Sequence, residues 1–156
     1  MSKLKHLQKL TIWNNNLTAE GIAPLYELKR LKVLDIRQNS IEYISPKIKT
    51  LTGLSDLTLS SNPLSKLPVE LRQLRAIHQL GLGDLPEMDW VSAFSIMENL
   101  PNLRRVGMYS MRLPNMPAGF DKLKQVEVFW MNSNSFDKNE RARIKALLPN
   151  ADVKFD

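Results

Sequence analysis

The chain lacks cysteine altogether, and His6 and His78 are its only histidines. No disulfide framework or thiolate metal cluster is possible, and two imidazoles 72 positions apart do not make a metal site of ordinary spacing. The absence of cysteine by itself says little about compartment. Glycine is scarce, and Gly81-Leu82-Gly83 is not followed by the Lys-Ser/Thr pair of a phosphate-cradling loop. No Ser, His and acid arrangement of a hydrolase is legible. No apolar run approaches the roughly 20 residues needed to cross a membrane. Met1 to Leu10 is interrupted by polar residues and does not read as a secretory signal. These absences point away from an enzyme, a bound metal, a cofactor and a membrane span.

What the chain has is a repeat. Leu4, Leu28, Leu51, Leu74, Leu100 and Leu123 open six segments of similar design, separated by 24, 23, 23, 26 and 23 residues. Their apolar residues fall on one template, L-x-x-L-x-x-L-x-L-x-x-N-x-L. The first copy places Leu4, Leu7, Leu10, Ile12, Asn15 and Leu17 on it. The second uses Leu28, Leu31, Leu34, Ile36, Asn39 and Ile41, and the third Leu51, Leu54, Leu57, Leu59, Asn62 and Leu64. Alternation of the two strand residues turns both to one side and the residues between them to the other. The asparagine carries a donor and an acceptor on a short stem, suited to turn groups that would otherwise be buried without partners.

The chain thus resembles the leucine-rich repeat family, with repeats of the bacterial type. The resemblance implies a right-handed α/β solenoid in a horseshoe arc, with a parallel sheet on the concave face and short helices or extended segments on the convex face. One unit cannot bury its leucines alone, whereas stacked units share a continuous core. A single domain over residues 1–156 is expected, closed by a capping helix and strand at about 137–156. Ile41-x-x-Ile44, Leu64-x-x-Leu67-Pro68 and Leu113-x-x-Met116-Pro117 read as tight convex returns, because proline fixes φ and removes a donor. The fourth unit is longer, and Asp89 ahead of Trp90, Val91, Phe94 and Met97 predicts a true convex helix over 90–98. Leu85 and Met111 stand where asparagine is expected, so the turns of the fourth and fifth units are expected to be irregular.

The two ends differ. Asp137-x-x-Glu140 reads as a capping-box variant opening a last helix, and Val153 and Phe155 alternate as a final strand. At the other end Leu4 already lies inside a full repeat with nothing upstream to cover it. Repeat arrays need a polar cap at each end. Either the chain is the C-terminal part of a longer protein or a partner covers the first repeat, with self-association through that edge as one outcome.

Function is expected on the concave face, since a parallel sheet face is rarely left open. Three columns run across the strands there. Thr11, Asp35, Thr58, Gly81, Gly107 and Trp130 form one. Trp13, Arg37, Ser60, Gly83, Tyr109 and Asn132 form the next, and Lys9, Val33, Asp56, Gln79, Arg105 and Val128 the third. With strands about 4.8 Å apart, Tyr109 and Trp130 are neighbours beside a floor of glycines, with Arg105 at its edge. Aromatics and arginine are the usual anchors of interfaces. The candidate partner-binding residues are therefore Tyr109, Trp130, Arg105, Arg37, Trp13, Asp35 and Asn132. A bland alternative is that the aromatics only pair across strands. Trp13 serves equally well to pack against a missing repeat, and Trp90 belongs to the convex core.

A formal charge of +6 raises nucleic acid as a ligand. The cations recur at repeat positions with acids interleaved, which describes a solvated edge better and leaves an acidic protein partner favoured by steering. The reading is a non-catalytic protein-binding module. The alternatives are a lectin-like glycan-binding surface protein using Trp130, Tyr109 and Asn132, or a structural spacer. For a bacterial parent, the cell surface or secretion is preferred to the cytoplasm.

Overall fold

The computed structural model describes residues 4–155. Seven three-residue strands form one parallel sheet in chain order: β1 Lys9–Thr11, β2 Val33–Asp35, β3 Asp56–Thr58, β4 Gln79–Gly81, β5 Arg105–Gly107, β6 Val128–Trp130 and β7 Asp152–Lys154. The result is the leucine-rich-repeat solenoid, an unclosed sheet with its connections on the convex side. The strand pairing is in register across every joint, so Leu10, Leu34, Leu57, Leu80, Val106, Phe129 and Val153 stack as one inward column. From Leu34 to Phe129 this column is essentially solvent-free, as are Ile36, Leu59, Leu82, Met108 and Met131 of the second inward column. The concave columns fall in the expected register as well.

The convex returns are 3-10 turns at Ala23–Glu27, Pro46–Thr50, Val69–Gln73 and Phe120–Lys122, with one α-helix, α1, over Trp90–Met97. Pro24 is the second residue of the first turn, Pro46 opens the second and Pro68 sits at the N-cap of the third, which is why they stay short. The longer fourth unit has room for α1. Asp89 caps it, its carboxylate accepting from Ser92 N at 3.1 Å. Trp90 is buried as the convex-core reading required, while Val91 is exposed. Trp90, Phe94, Phe120 and Phe129 then run ring to ring through the fourth to sixth units, with centroids 5.9, 5.8 and 4.8 Å apart. Gly119, at φ 91°, lets the chain turn closely against Phe94.

The asparagines join adjacent units. Asn62 donates to Leu59 O and Ser60 O in its own turn and to Ile36 O of the preceding unit, and accepts from Ile41 N. Asn39 does the same toward Ile12 O and Leu17 N. Asn134 reaches Met108 O and Met111 N. The loops of the fourth and fifth units both depart from the others, the fourth by an added turn closed by Met88 N on Leu85 O at 3.2 Å. Every turn contains one left-handed residue at the same place, namely Asn14, Gln38, Ser61, Asp84, Ser110 and Ser133, and Asp84 keeps the fourth turn in line. Leu85 fills the asparagine's position by burial. The fifth turn has a second left-handed residue, Arg112, which draws Met111 N onto Asn134.

At the C-terminal end α2 spans Lys138–Leu147 and β7 follows. The expected capping box forms by half. Asp137 accepts from Glu140 N at 2.7 Å. The Glu140 carboxylate does not turn back to Asp137. It accepts instead from Met116 N at 2.7 Å and from Arg143, while Arg143 also donates to Met116 O. A buried backbone donor in the preceding unit outweighs a local one that water can serve. At the N-terminal end Leu4 and Trp13 are 44% and 47% exposed, whereas Leu28 and Leu31, the equivalents of Leu4 and Leu7 one unit on, are buried. Asn15 donates only to its own turn, at Ile12 O and Trp13 O.

Candidate functional site

The concave sheet presents a depression of about 240 Å³, lined by Arg37, Thr58, Ser60, Gln79, Leu80, Gly81, Gly107, Tyr109 and Trp130. Its position follows from register. Gly81, Gly107 and Trp130 are consecutive partners across β4, β5 and β6. Tyr109 stands two residues beyond Gly107, and both aromatic side chains are half-buried.

The glycine floor differs from the expectation in a specific way. A β-carbon on Gly83 would run into the ring of Tyr109, so that glycine is already covered by the aromatic. Ser60, fully buried, accepts from Gly83 N at 3.0 Å and holds the strand beneath the ring. At Gly81 the methyl of Thr58 lies 2.8 Å from where a β-carbon would stand. Only Gly107 is open, its nearest neighbour being the Gly81 backbone at 3.8 Å. The opening is therefore one residue wide. Trp130 and Tyr109 border it, and Thr58, Gln79 and Arg37 lie on the side toward the N-terminus.

Of the residues singled out from the sequence, Arg37, Tyr109 and Trp130 meet at the depression. Asp35 and Trp13 do not line it but hold Arg37. The Arg37 guanidinium lies 3.4 Å from an Asp35 carboxylate oxygen and 5.6 Å from the centre of the Trp13 ring. Asp35 also accepts from Arg37 N at 3.2 Å. Arg105 is exposed on β5 outside the lining. Asn132, two residues past β6, is half-buried and also outside the lining, its backbone carbonyl accepting from Ser110 N at 3.1 Å. Thr58, Ser60 and Gln79 belong to the site by position in the columns, although their chemistry did not draw attention. No group of three or more His, Cys, Asp or Glu among the described residues is placed to hold a metal ion. No helix among them is long and apolar enough to cross a membrane.

A family model described as leucine rich repeat matches residues 5–64. The flightless-1 homolog of Caenorhabditis elegans is 27% identical over 115 residues, covering 69% of this chain and 9% of that protein. The volume-regulated anion channel subunit LRRC8A of Rattus norvegicus is 37% identical over 75 residues, covering 47% of this chain and 9% of that protein. The chain therefore spans a small part of these relatives' length. Among solved structures, a leucine-rich-repeat protein of Leptospira interrogans superposes with a TM-score of 0.63 at 22% identity, over 98% of this chain and 50% of that one.

Proposed function

Because the chain belongs to the leucine-rich-repeat family, whose units serve as interaction modules, we propose that it is a non-catalytic protein-binding module whose partner seats on the concave depression between Tyr109 and Trp130. The observation that carries this reading is the convergence of two large aromatic side chains and a held arginine on the one open glycine of the sheet, Gly107. Tyr and Trp bury large rigid areas at low entropic cost. Arg37 is kept in place by Asp35 and Trp13, so a partner finds a charge already oriented. In this reading Arg105 and Asn132 are rim contacts, flanking the depression.

The test is affinity capture with the intact chain and with the Tyr109→Ala, Trp130→Ala variant in parallel. A partner bound by the first and lost by the second supports the reading. A glycan array run on the same pair separates a lectin-like use of the aromatics from protein recognition.

The asparagine bonds differ along the stack. Asn39, Asn62 and Asn134 each bond across a joint, whereas Asn15 bonds only within its turn.

A further inference from the structure

The excess positive charge of the chain is not spread over it. The segments that lead from the convex side into the strands stack along one rim of the arc. Backbone bonds from Lys32 N to Gln8 O, Ser55 N to Lys32 O, His78 N to Ser55 O, Arg104 N to His78 O and Glu127 N to Arg104 O, all 2.7–2.9 Å, tie them into a ladder. Residues 4–8, 28–32, 51–55, 74–78, 100–104 and 123–127 on this rim carry seven cations against one carboxylate, an excess equal to the formal +6 of the whole chain. The opposite rim, at 12–16, 36–40, 59–63, 82–86, 108–112 and 131–135, carries only Arg37, Asp84 and Arg112. Within these rim segments Glu127 is the single acid, so acids interleave with the cations less than the linear order suggested.

The rim cations differ in availability. Arg104 is tied down by Glu127 and by neighbouring carbonyls. Lys29 donates to Tyr26 O and lies 3.8 Å from Glu27. Lys5, Arg30, Lys32, Arg75 and Lys124 are exposed and have no carboxylate partner among the described residues. Lys124 also stands on the lip of a cleft of about 400 Å³ at the C-terminal end of the rim, otherwise lined by Val126 and residues 147–151. Four of these, Val126, Leu147, Leu148 and Ala151, are apolar.

We propose that this rim binds an acidic, extended polypeptide segment, with an apolar side chain of that segment seated in the cleft beside Lys124. The proposal is independent of the concave site. Like-signed charge along one edge attracts and orients an acidic chain, and the half-apolar cleft sets its register. The rim segments contain no Phe, Tyr or Trp on which a base would stack, so the surface fits a carboxylate-rich peptide better than single-stranded nucleic acid.

The experiment measures fluorescence anisotropy of labelled polyglutamate, polyglutamate ending in two leucines, and oligothymidylate, at low and raised salt. The intact chain is compared with the Arg30→Glu, Lys32→Glu variant and with Lys124→Glu, all on exposed side chains. The leucine-ended peptide should bind tightest, weaken with salt, and lose at least about tenfold in affinity to either charge-reversed variant. The Tyr109→Ala, Trp130→Ala variant should bind it as the intact chain does, which keeps this result separate from the fate of the concave reading. Unchanged affinity in the charge-reversed variants, no gain from the leucines, or equal or tighter binding of oligothymidylate would overturn the proposal.

Discussion

The ring of Tyr109 lies against the backbone of Gly83 on the neighbouring unit, in the space a side chain there would occupy. The glycine therefore sets the position of the aromatic, and the aromatic closes the sheet over the glycine. Gly83→Ala should displace the ring and cost about 1–3 kcal/mol through overpacking, while weakening whatever binds between Tyr109 and Trp130. Chemical denaturation and a binding titration on the same variant check this. A neutral effect on both would show that the ring moves aside freely.

The middle of the stack should be the least forgiving region. Leu57 and Leu59 are buried in the central unit with repeats on both sides. Leu57→Ala should cost about 2–5 kcal/mol in equilibrium denaturation. A loss smaller than that of an exposed substitution would contradict the strand register.

The asparagines give an internal comparison. Asn62 spans a joint and serves four backbone groups, so Asn62→Ala should cost about 1–3 kcal/mol by leaving buried groups unpaired. Asn15 has the same sequence position but bonds only its own exposed turn. Asn15→Ala should stay within about 0.5 kcal/mol. Equal losses at the two positions would mean that joint-spanning bonds are not what the asparagines contribute.

Most of this architecture was legible in the sequence because its signals are periodic. Leu10, Leu34, Leu57 and Leu80 recur with their Leu-x-Leu or Leu-x-Ile partners, and that alone places the strands, the register and the concave columns. Asp89 and Trp90 announced α1 through a cap and helical spacing. The details that escaped depend on neighbours distant in sequence. The loop of the fourth unit departs as its missing asparagine suggested, but the sequence did not show that Asp84 would keep the common left-handed position and that Leu85 would be buried in the asparagine's place. Glu140 looked like a partner for Asp137, but the unserved N–H of Met116 lies one unit back. The glycines looked like open floor because their spacing says nothing of where Tyr109 and Thr58 turn.

The Glu140 clamp predicts a pH dependence. The Arg143 hydrogen bond, helped by the Met116 N–H, holds the Glu140 carboxyl below the ordinary carboxylate range, against the opposing effect of burial. A depressed folded pKa means that the clamp favours the folded state fully above the unfolded carboxyl value of about 4.3. That contribution is lost as pH falls through the folded value. Glu140→Gln should lower stability at neutral pH and flatten the loss on acidification between these two values. An unchanged acid profile would remove the clamp from the account.

The exposed apolar side chains of the first unit, Leu4 and Trp13 among the described residues, should make the isolated chain associate as concentration rises. Light scattering over a concentration series checks this, and Trp13→Ser should suppress it. A monodisperse monomer at every concentration would argue that the edge needs no cover.

The most direct test of the concave reading is the affinity of the captured partner for the intact chain and for the Tyr109→Ala, Trp130→Ala variant, measured with a denaturation curve on each protein. Neither aromatic points into the core, so stability should change little while affinity falls by at least about 2 kcal/mol for each ring removed. A variant that folds normally and binds its partner with unaltered affinity would contradict the account and move the site off the concave sheet.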